Sequence, residues 1–192
     1  MVYQKTRNTA ETQLGISLAD DQRLSKIDTG VGFLDHMLTL FTFHSKLSII
    51  IEANGDTEVD DHHVTEDIGI VLGQLLLELV KERKSFQRYG VSYIPMDETL
   101  ARSVVDISGR PYLSFNAQLS KEKVGTFDTE LVDEFFRALV INARLTTHID
   151  LLRGGNTHHE IEGIFKSFAR ALKEALAGND SEGIPSSKGV IE

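Results

Sequence analysis

A chain of 192 residues with 41% hydrophobic and 26% charged residues holds enough apolar material for one folded unit with a sizeable core. A net charge of -9 argues against a broad phosphate-neutralising face, so no nucleic acid is expected as a partner, whereas a small anion needs only a local cationic cluster. Cysteine is absent, which removes disulfides, thiolate metal sites and thiol nucleophiles, so any metal ion must be held by His, Asp or Glu.

The opening residues MVYQKTRNTAETQLG lack the apolar core of a secretory signal. The longest apolar run, IGIVLGQLLLELV, is too short and too interrupted for a bilayer, so no membrane association and a cytoplasmic location are expected. In chain order, residues 4–20 alternate as an opening strand, and a polar turn follows across 20–26. Residues 32–45 set Phe33, Leu34, Met37, Leu38 and Phe41 on a helical period. The β-branched stretch 46–56 predicts a strand ending at Gly55, with a helix directly after it whose core-facing stripe is Ile68, Val71, Leu72, Leu75, Leu76, Leu79 and Val80. Residues 91–119 read as strands joined by turns at PMDE and SGRP. A helix over 129–145, a strand over 146–154, a Gly-Asn turn and a helix over 157–176 complete the series.

That second series repeats the first. FLDHMLTLF, beginning at Phe33, lies over LVDEFFRAL, beginning at Leu131, and the strands, turns and helices after them also match. The sequence therefore predicts an α+β fold of two pseudo-symmetric halves, each a mainly antiparallel sheet packed against helices. The seam falls near residues 85–95, giving halves of 1–92 and 93–192 within one compact domain. By composition the tail NDSEGIPSSKGVIE is loose.

Four of the seven histidines stand in two copies of His-His-x-x-Glu, His62-His63 with Glu66 and His158-His159 with Glu162. At roughly 100° per helical residue, Glu66 lies about 40° from His62 and about 60° from His63, while the adjacent histidines diverge by about 100°. Each motif therefore offers ligands to two ions, and imidazoles with one carboxylate per ion suit Mn, Fe, Co, Ni or Zn better than calcium. A single copy on a helix start is ordinarily just a polar N-terminus with a dipole-favoured glutamate; two copies at matching repeat positions point to metal. His36 and His148 are the natural additional ligands, although His36 falls opposite Glu134 in the repeat. His44 lacks such company and reads as structural or surface. Lys166 stands one turn beyond Glu162, where the first helix has Ile70. An ammonium at that edge suits an anionic substrate group such as phosphate, against the plainer reading of a surface lysine paired with Glu162 or Glu174.

Taken together, GFLDHML, DDHHVTEDIGI, SGRPYL, GGNTHHEIEGIFKSFARAL and PSSKG resemble the imidazoleglycerol-phosphate dehydratase family of histidine biosynthesis, with a departure at Thr39 and Leu40, where a polar pair is expected. The resemblance spans essentially the whole chain. It implies a lyase that converts imidazoleglycerol phosphate to imidazoleacetol phosphate with two Mn2+ per active site, through a ring imidazolate and a diazafulvene-like intermediate. It further implies His36, His62, His63, Glu66, His148, His158, His159 and Glu162 as metal ligands. One grouping sets His36, His63, His158 and Glu162 on one ion and His62, Glu66, His148 and His159 on the other. Glu11 becomes the first candidate for acid/base work, with Glu162 the second as an exchangeable ligand. Arg88, Arg110, Lys166, Ser186 and Lys188 would hold the phosphate, the tail ordering over it and closing the site. Members of the family assemble as 24-subunit shells, so self-association into a large homo-oligomer is implied as well. Two other classes compete. A non-catalytic metal-binding assembly would have no need of Arg88, Arg110, Lys166 and Lys188, and a dinuclear metallohydrolase of phosphate esters would favour more bridging carboxylates.

Overall fold

The alternating stretch at the start resolves into two antiparallel strands rather than one, β1 (Val2–Asn8) and β2 (Thr12–Ala19). Threonine chemistry makes the break: the Thr9 hydroxyl accepts from the Glu11 and Thr12 amides at 3.1 and 2.9 Å, a side-chain turn that alternation alone does not reveal. The computed structural model describes residues 1–21 and 25–178. A short β3 (Lys26–Asp28) begins at the last residue of the predicted turn, and α1 (Gly32–Ser45), β4 (Ser48–Gly55) and α2 (His62–Glu82) follow. The second series is β5 (Tyr89–Met96), β6 (Thr99–Asp106), β7 (Tyr112–Asn116), a small hairpin of β8 (Lys123–Val124) and β9 (Phe127–Asp128), α3 (Leu131–Ala143), β10 (Thr146–Arg153) and α4 (Thr157–Leu176).

Both four-stranded sheets have one topology. The order β1-β2-β4-β3 is matched by β5-β6-β10-β7, each with two antiparallel pairings and one parallel edge strand. The fold is thus α+β with two similar, mainly antiparallel sheets, and the β8-β9 hairpin is an addition within the second series. Residues 83–88 join the two.

The helices form a layer between the sheets, and they interleave. α2 lies on β1 and β2 but packs sideways on α3, whereas α4 lies on β5 and β6 and packs sideways on α1. One continuous apolar core results, centred on Phe135, Phe136, Phe165 and Phe168 with ring centroids 4.8–5.3 Å apart. Every one of those rings is essentially fully buried, a contribution of roughly 1.5–3 kcal/mol each by area removed from water. The α2–α3 seam is tighter than the α1–α4 seam. A Cβ added at Gly73 would stand 2.4 Å from the Leu139 carbonyl oxygen, so glycine there is what permits the approach.

The first histidine of each pair is anchored in a similar way, although the acceptor is the N-cap residue in α4 and the residue before it in α2. Asp60 accepts from the His62 amide at 2.8 Å and Asn156 from the His158 amide at 3.0 Å, so a short side-chain acceptor two residues ahead fixes the first turn of each. Both histidine pairs are thereby set at helix N-termini. No helix among the described residues is long and apolar enough to cross a membrane.

Candidate active site

The second-half motif is gathered under α1. His36, at the start of the second turn of α1, and His158 and Glu162, one turn apart on α4, bring their ligand atoms within 4.8 Å of one another. Glu162 Oε2 lies 3.3 Å from His158 Nε2 and 3.6 Å from His36 Nε2, while Oε1 accepts from the Lys166 ammonium. Burial pushes the Glu162 carboxyl up, but the Lys166 hydrogen bond and charge, with His36 and His158, outweigh it and hold the group below its usual range. Phe33 backs the His158 ring edge-on at 5.4 Å between centroids. His159 points elsewhere, its Nδ1 3.2 Å from Glu98 in the β5–β6 turn. The Glu98 carboxyl is held below its usual range, chiefly by its own backbone amide and then by His159.

The first-half motif is more open. Glu66 meets one imidazole, His62, at 3.9 Å, and the His63 ring turns from it to stand between Asp56, 3.1 Å from Nδ1, and Glu11, 3.9 Å from Nε2. The Asp56 hydrogen bond raises the His63 imidazole above its ordinary value. Glu11 is held in place through its neighbours. Its carbonyl accepts from the Asp56 amide at 3.1 Å, and Thr12 donates to the buried Asp67, which also takes Arg7 Nε at 2.7 Å. Because Asp67 is one turn beyond His63 on α2, the turn carrying Glu11 is bolted to the helix carrying His63.

His148 joins neither cluster. Thr147 and Ile149 point inward from β10, so His148 projects from the outer face of its sheet, in register with Val104 and Ser114 and 5.6 Å from the Tyr112 ring. Arg88 and Arg110 are at the end of that sheet, both facing Asp106, at 2.8 and 3.9 Å. Asp106 raises the Arg88 guanidinium further. Ser186 and Lys188, and with them the closing tail, lie outside the described residues. At the departure site, Thr39 donates to the Asp35 carbonyl at 2.7 Å and Leu40 packs against the core, so Leu40 serves α1 packing.

Four carboxylates were not singled out from sequence. Asp56 and Glu98 face the second histidine of each pair, Asp106 binds the arginines, and Glu160 is fully buried, accepting from the Ser120 and Gly155 amides at 2.9 and 2.7 Å. Glu160 fills a variable position of the second motif, where the first copy has Val64, and the other three lie outside the repeated motifs; Glu98 was also in the predicted PMDE turn. The donor set His36, His158 and Glu162, two imidazole nitrogens and one carboxylate oxygen converging beside a further cation, fits a borderline divalent ion. His62 with Glu66 offers half such a set, and within one chain His148 stands apart from both.

The sequence model of the family described as imidazoleglycerol-phosphate dehydratase matches residues 29–172. The chain is 84% identical over 192 residues, all of both sequences, to imidazoleglycerol-phosphate dehydratase of Staphylococcus saprophyticus, and 78% identical over the same span to that of Staphylococcus aureus. The crystal structure of the Staphylococcus aureus enzyme superimposes with a TM-score of 0.88 at 75% identity, over 93% of this chain and 100% of that one. A Pyrococcus furiosus structure, solved in complex with (S)-C348, gives 0.84 at 36% identity over 97% and 99%. Full-length identity, matching fold and both motifs agree that this chain belongs to the imidazoleglycerol-phosphate dehydratase family of hydro-lyases.

Proposed function

We propose that the chain removes water from imidazoleglycerol phosphate to give imidazoleacetol phosphate in histidine biosynthesis, and that it does so with two Mn2+ ions. The observation that carries the reading is the convergence of His36, His158 and Glu162 with Lys166 on the same carboxylate: a cation site and a phosphate-suited ammonium share one edge of α4. His36, His63, His158 and Glu162 would hold one ion, and His62, Glu66, His148 and His159 the other. When bound, such ions would supply positive charge at the substrate's ring nitrogens, letting an imidazole with no neighbouring carbonyl carry the electron pair left by proton loss. Glu11, beside His63, is the group to move the proton, and Glu162, as an exchangeable ligand, is the second candidate. Lys166, Arg88 and Arg110, with Ser186 and Lys188 of the tail, would bind the phosphate.

His148 lies on the outer face of its sheet, away from the helix layer, His63 stands with Asp56 and Glu11, and His159 with Glu98, so on this reading both ligand sets would draw on more than one copy. Self-association into a large closed homo-oligomer, with metals bridging subunits, accords with that separation and with the exposed Tyr89, Val91, Val104 and Tyr112 on the same face. The test is product formation from imidazoleglycerol phosphate by chelator-stripped protein with and without Mn2+. Ketone appearing only when Mn2+ is restored is the expected result, and no turnover by metal-loaded, assembled protein overturns the reading.

A further inference from the structure

The second histidine of each pair shares a feature that the repeat does not dictate. At His63 the Nδ1 atom lies 3.1 Å from both oxygens of Asp56, and at His159 it lies 3.2 and 3.3 Å from those of Glu98. At His36, His62 and His158, by contrast, the nitrogen facing a glutamate is Nε2. We propose that Asp56 and Glu98 are positioning residues that accept the Nδ1–H of His63 and His159, fixing tautomer and ring orientation so that Nε2 alone is left to bind a divalent cation. This rests on the reading of both histidines as metal ligands.

An imidazole has two nitrogens, and a neutral ring presents its lone pair at only one of them. A carboxylate at Nδ1 settles which, and it raises the basicity of the other nitrogen toward a cation. Both carboxylates are themselves anchored. The Asp56 amide donates to the Glu11 carbonyl and the Asp56 carbonyl accepts from Val59 at 2.8 Å, so the residue is tied on both sides. Glu98 accepts from the amide of Asn156, the residue that caps α4, at 2.9 Å. Its Cγ passes so close to Gly155 that a Cβ there would stand 2.9 Å away, so a glycine gives Glu98 its path to His159.

The two carboxylates come from different elements. Asp56 follows β4, whereas Glu98 sits in the β5–β6 turn, whose counterpart in the first half is the β1–β2 turn carrying Glu11. Duplication therefore accounts for a turn glutamate beside each second histidine, Glu11 at His63 and Glu98 at His159, but not for Asp56 or for the nitrogen each carboxylate meets, and what recurs is a carboxylate at Nδ1. Ordinary surface ion pairs would give no reason for both to select the same ring nitrogen.

The experiment measures Mn2+ affinity, by competition with a metal-sensitive chelator, and the visible absorption of the Co2+-loaded protein, for wild type and for Asp56→Ala, Asp56→Asn, Glu98→Ala and Glu98→Gln. Both alanine variants should bind Mn2+ about 10–100-fold more weakly and shift the Co2+ spectrum, while the thermal midpoint of the metal-free protein stays put. The amide variants keep an acceptor for Nδ1–H and should recover most of the affinity, and Asp56→Ala should add nothing in a His63→Ala background. Wild-type affinity and spectrum in the alanine variants would overturn the proposal, as would a metal-free midpoint falling in step with affinity. The neighbouring Asp97 also brings a ligand atom within 4.8 Å of those of Glu98 and His159, so if Glu98→Gln binds as poorly as Glu98→Ala, Glu98 is itself a ligand with those two and the positioning role is wrong there. Failure of wild-type protein to bind Mn2+ at all would instead sink the underlying metal reading.

Discussion

The two copies of His-His-x-x-Glu are built alike and surrounded differently. Glu66 has a side chain 45% exposed and one imidazole nearby, whereas Glu162 is 9% exposed and meets two imidazoles and an ammonium. The cause is the neighbour each helix packs against. α4 lies beside α1, which brings His36, and α2 lies beside α3, which carries Glu134 at the corresponding place. A duplicated motif fixes residue types, spacing and helix start; whether it becomes a gathered site depends on what the adjacent helix contributes.

Substitution of the two glutamates separates the sites most sharply. Glu162→Gln should lower turnover by about 10³-fold or more, about 4 kcal/mol of barrier, and cut bound Mn2+ per chain by about half, as steady-state kinetics and metal analysis would record. Glu66→Gln should cost metal at the other ion while leaving the His36–His158 cluster able to bind; equal and complete loss from both variants would mean that the ions bind only as a pair. Next comes the helix seam. Gly73→Ala forces α3 away from α2 and should destabilise by about 1–3 kcal/mol in denaturant unfolding. Gly163→Ala on α4, whose added Cβ would have 3.4 Å to Ala101 and Thr99, should be near neutral. Lys166→Ala should raise KM roughly 10-fold or more, worth about 1.4 kcal/mol per factor of ten, with metal content intact; loss of metal would assign Lys166 to support of Glu162 instead.

The smallest effect concerns His44. Burial, then Lys166, Arg170 and Lys46, lower its pKa below the ordinary imidazole value. A depressed folded value means that the unfolded chain takes the proton first, so this contribution is present above the unfolded pKa near 6.5 and fades as pH falls toward the folded one. His44→Gln should flatten the acid side of the stability curve slightly, as thermal midpoints between pH 7 and 5 would show.

Much of this was legible in the sequence. The repeat gave the doubled sheet-and-helix order, and helical spacing paired His158, Glu162 and Lys166, because periodicity reports residues that share a face of one element. What escaped it were contacts between elements. The hairpin at Thr9–Thr12 depends on a hydroxyl turn. Asp56, Glu98 and Asp106 meet their partners only after strands and turns are brought together, and no local pattern marks them. Spacing placed Glu66 within reach of either histidine, and the fold chose His62 because Asp56 and Glu11 take His63.

The interleaved helix layer can be put in the language of symmetry. α1 on α4 and α2 on α3 are reciprocal contacts, each half offering its first helix to the other's second, which is the pattern of an isologous dimer. Here the two partners are tethered by residues 83–88, so neither can dilute away from the other, and their association is an intramolecular event at an effective concentration on the order of millimolar. The pairing of His36 with His158 and Glu162 across that interface is therefore made by α1 packing on α4 within one chain and holds at any concentration of the protein.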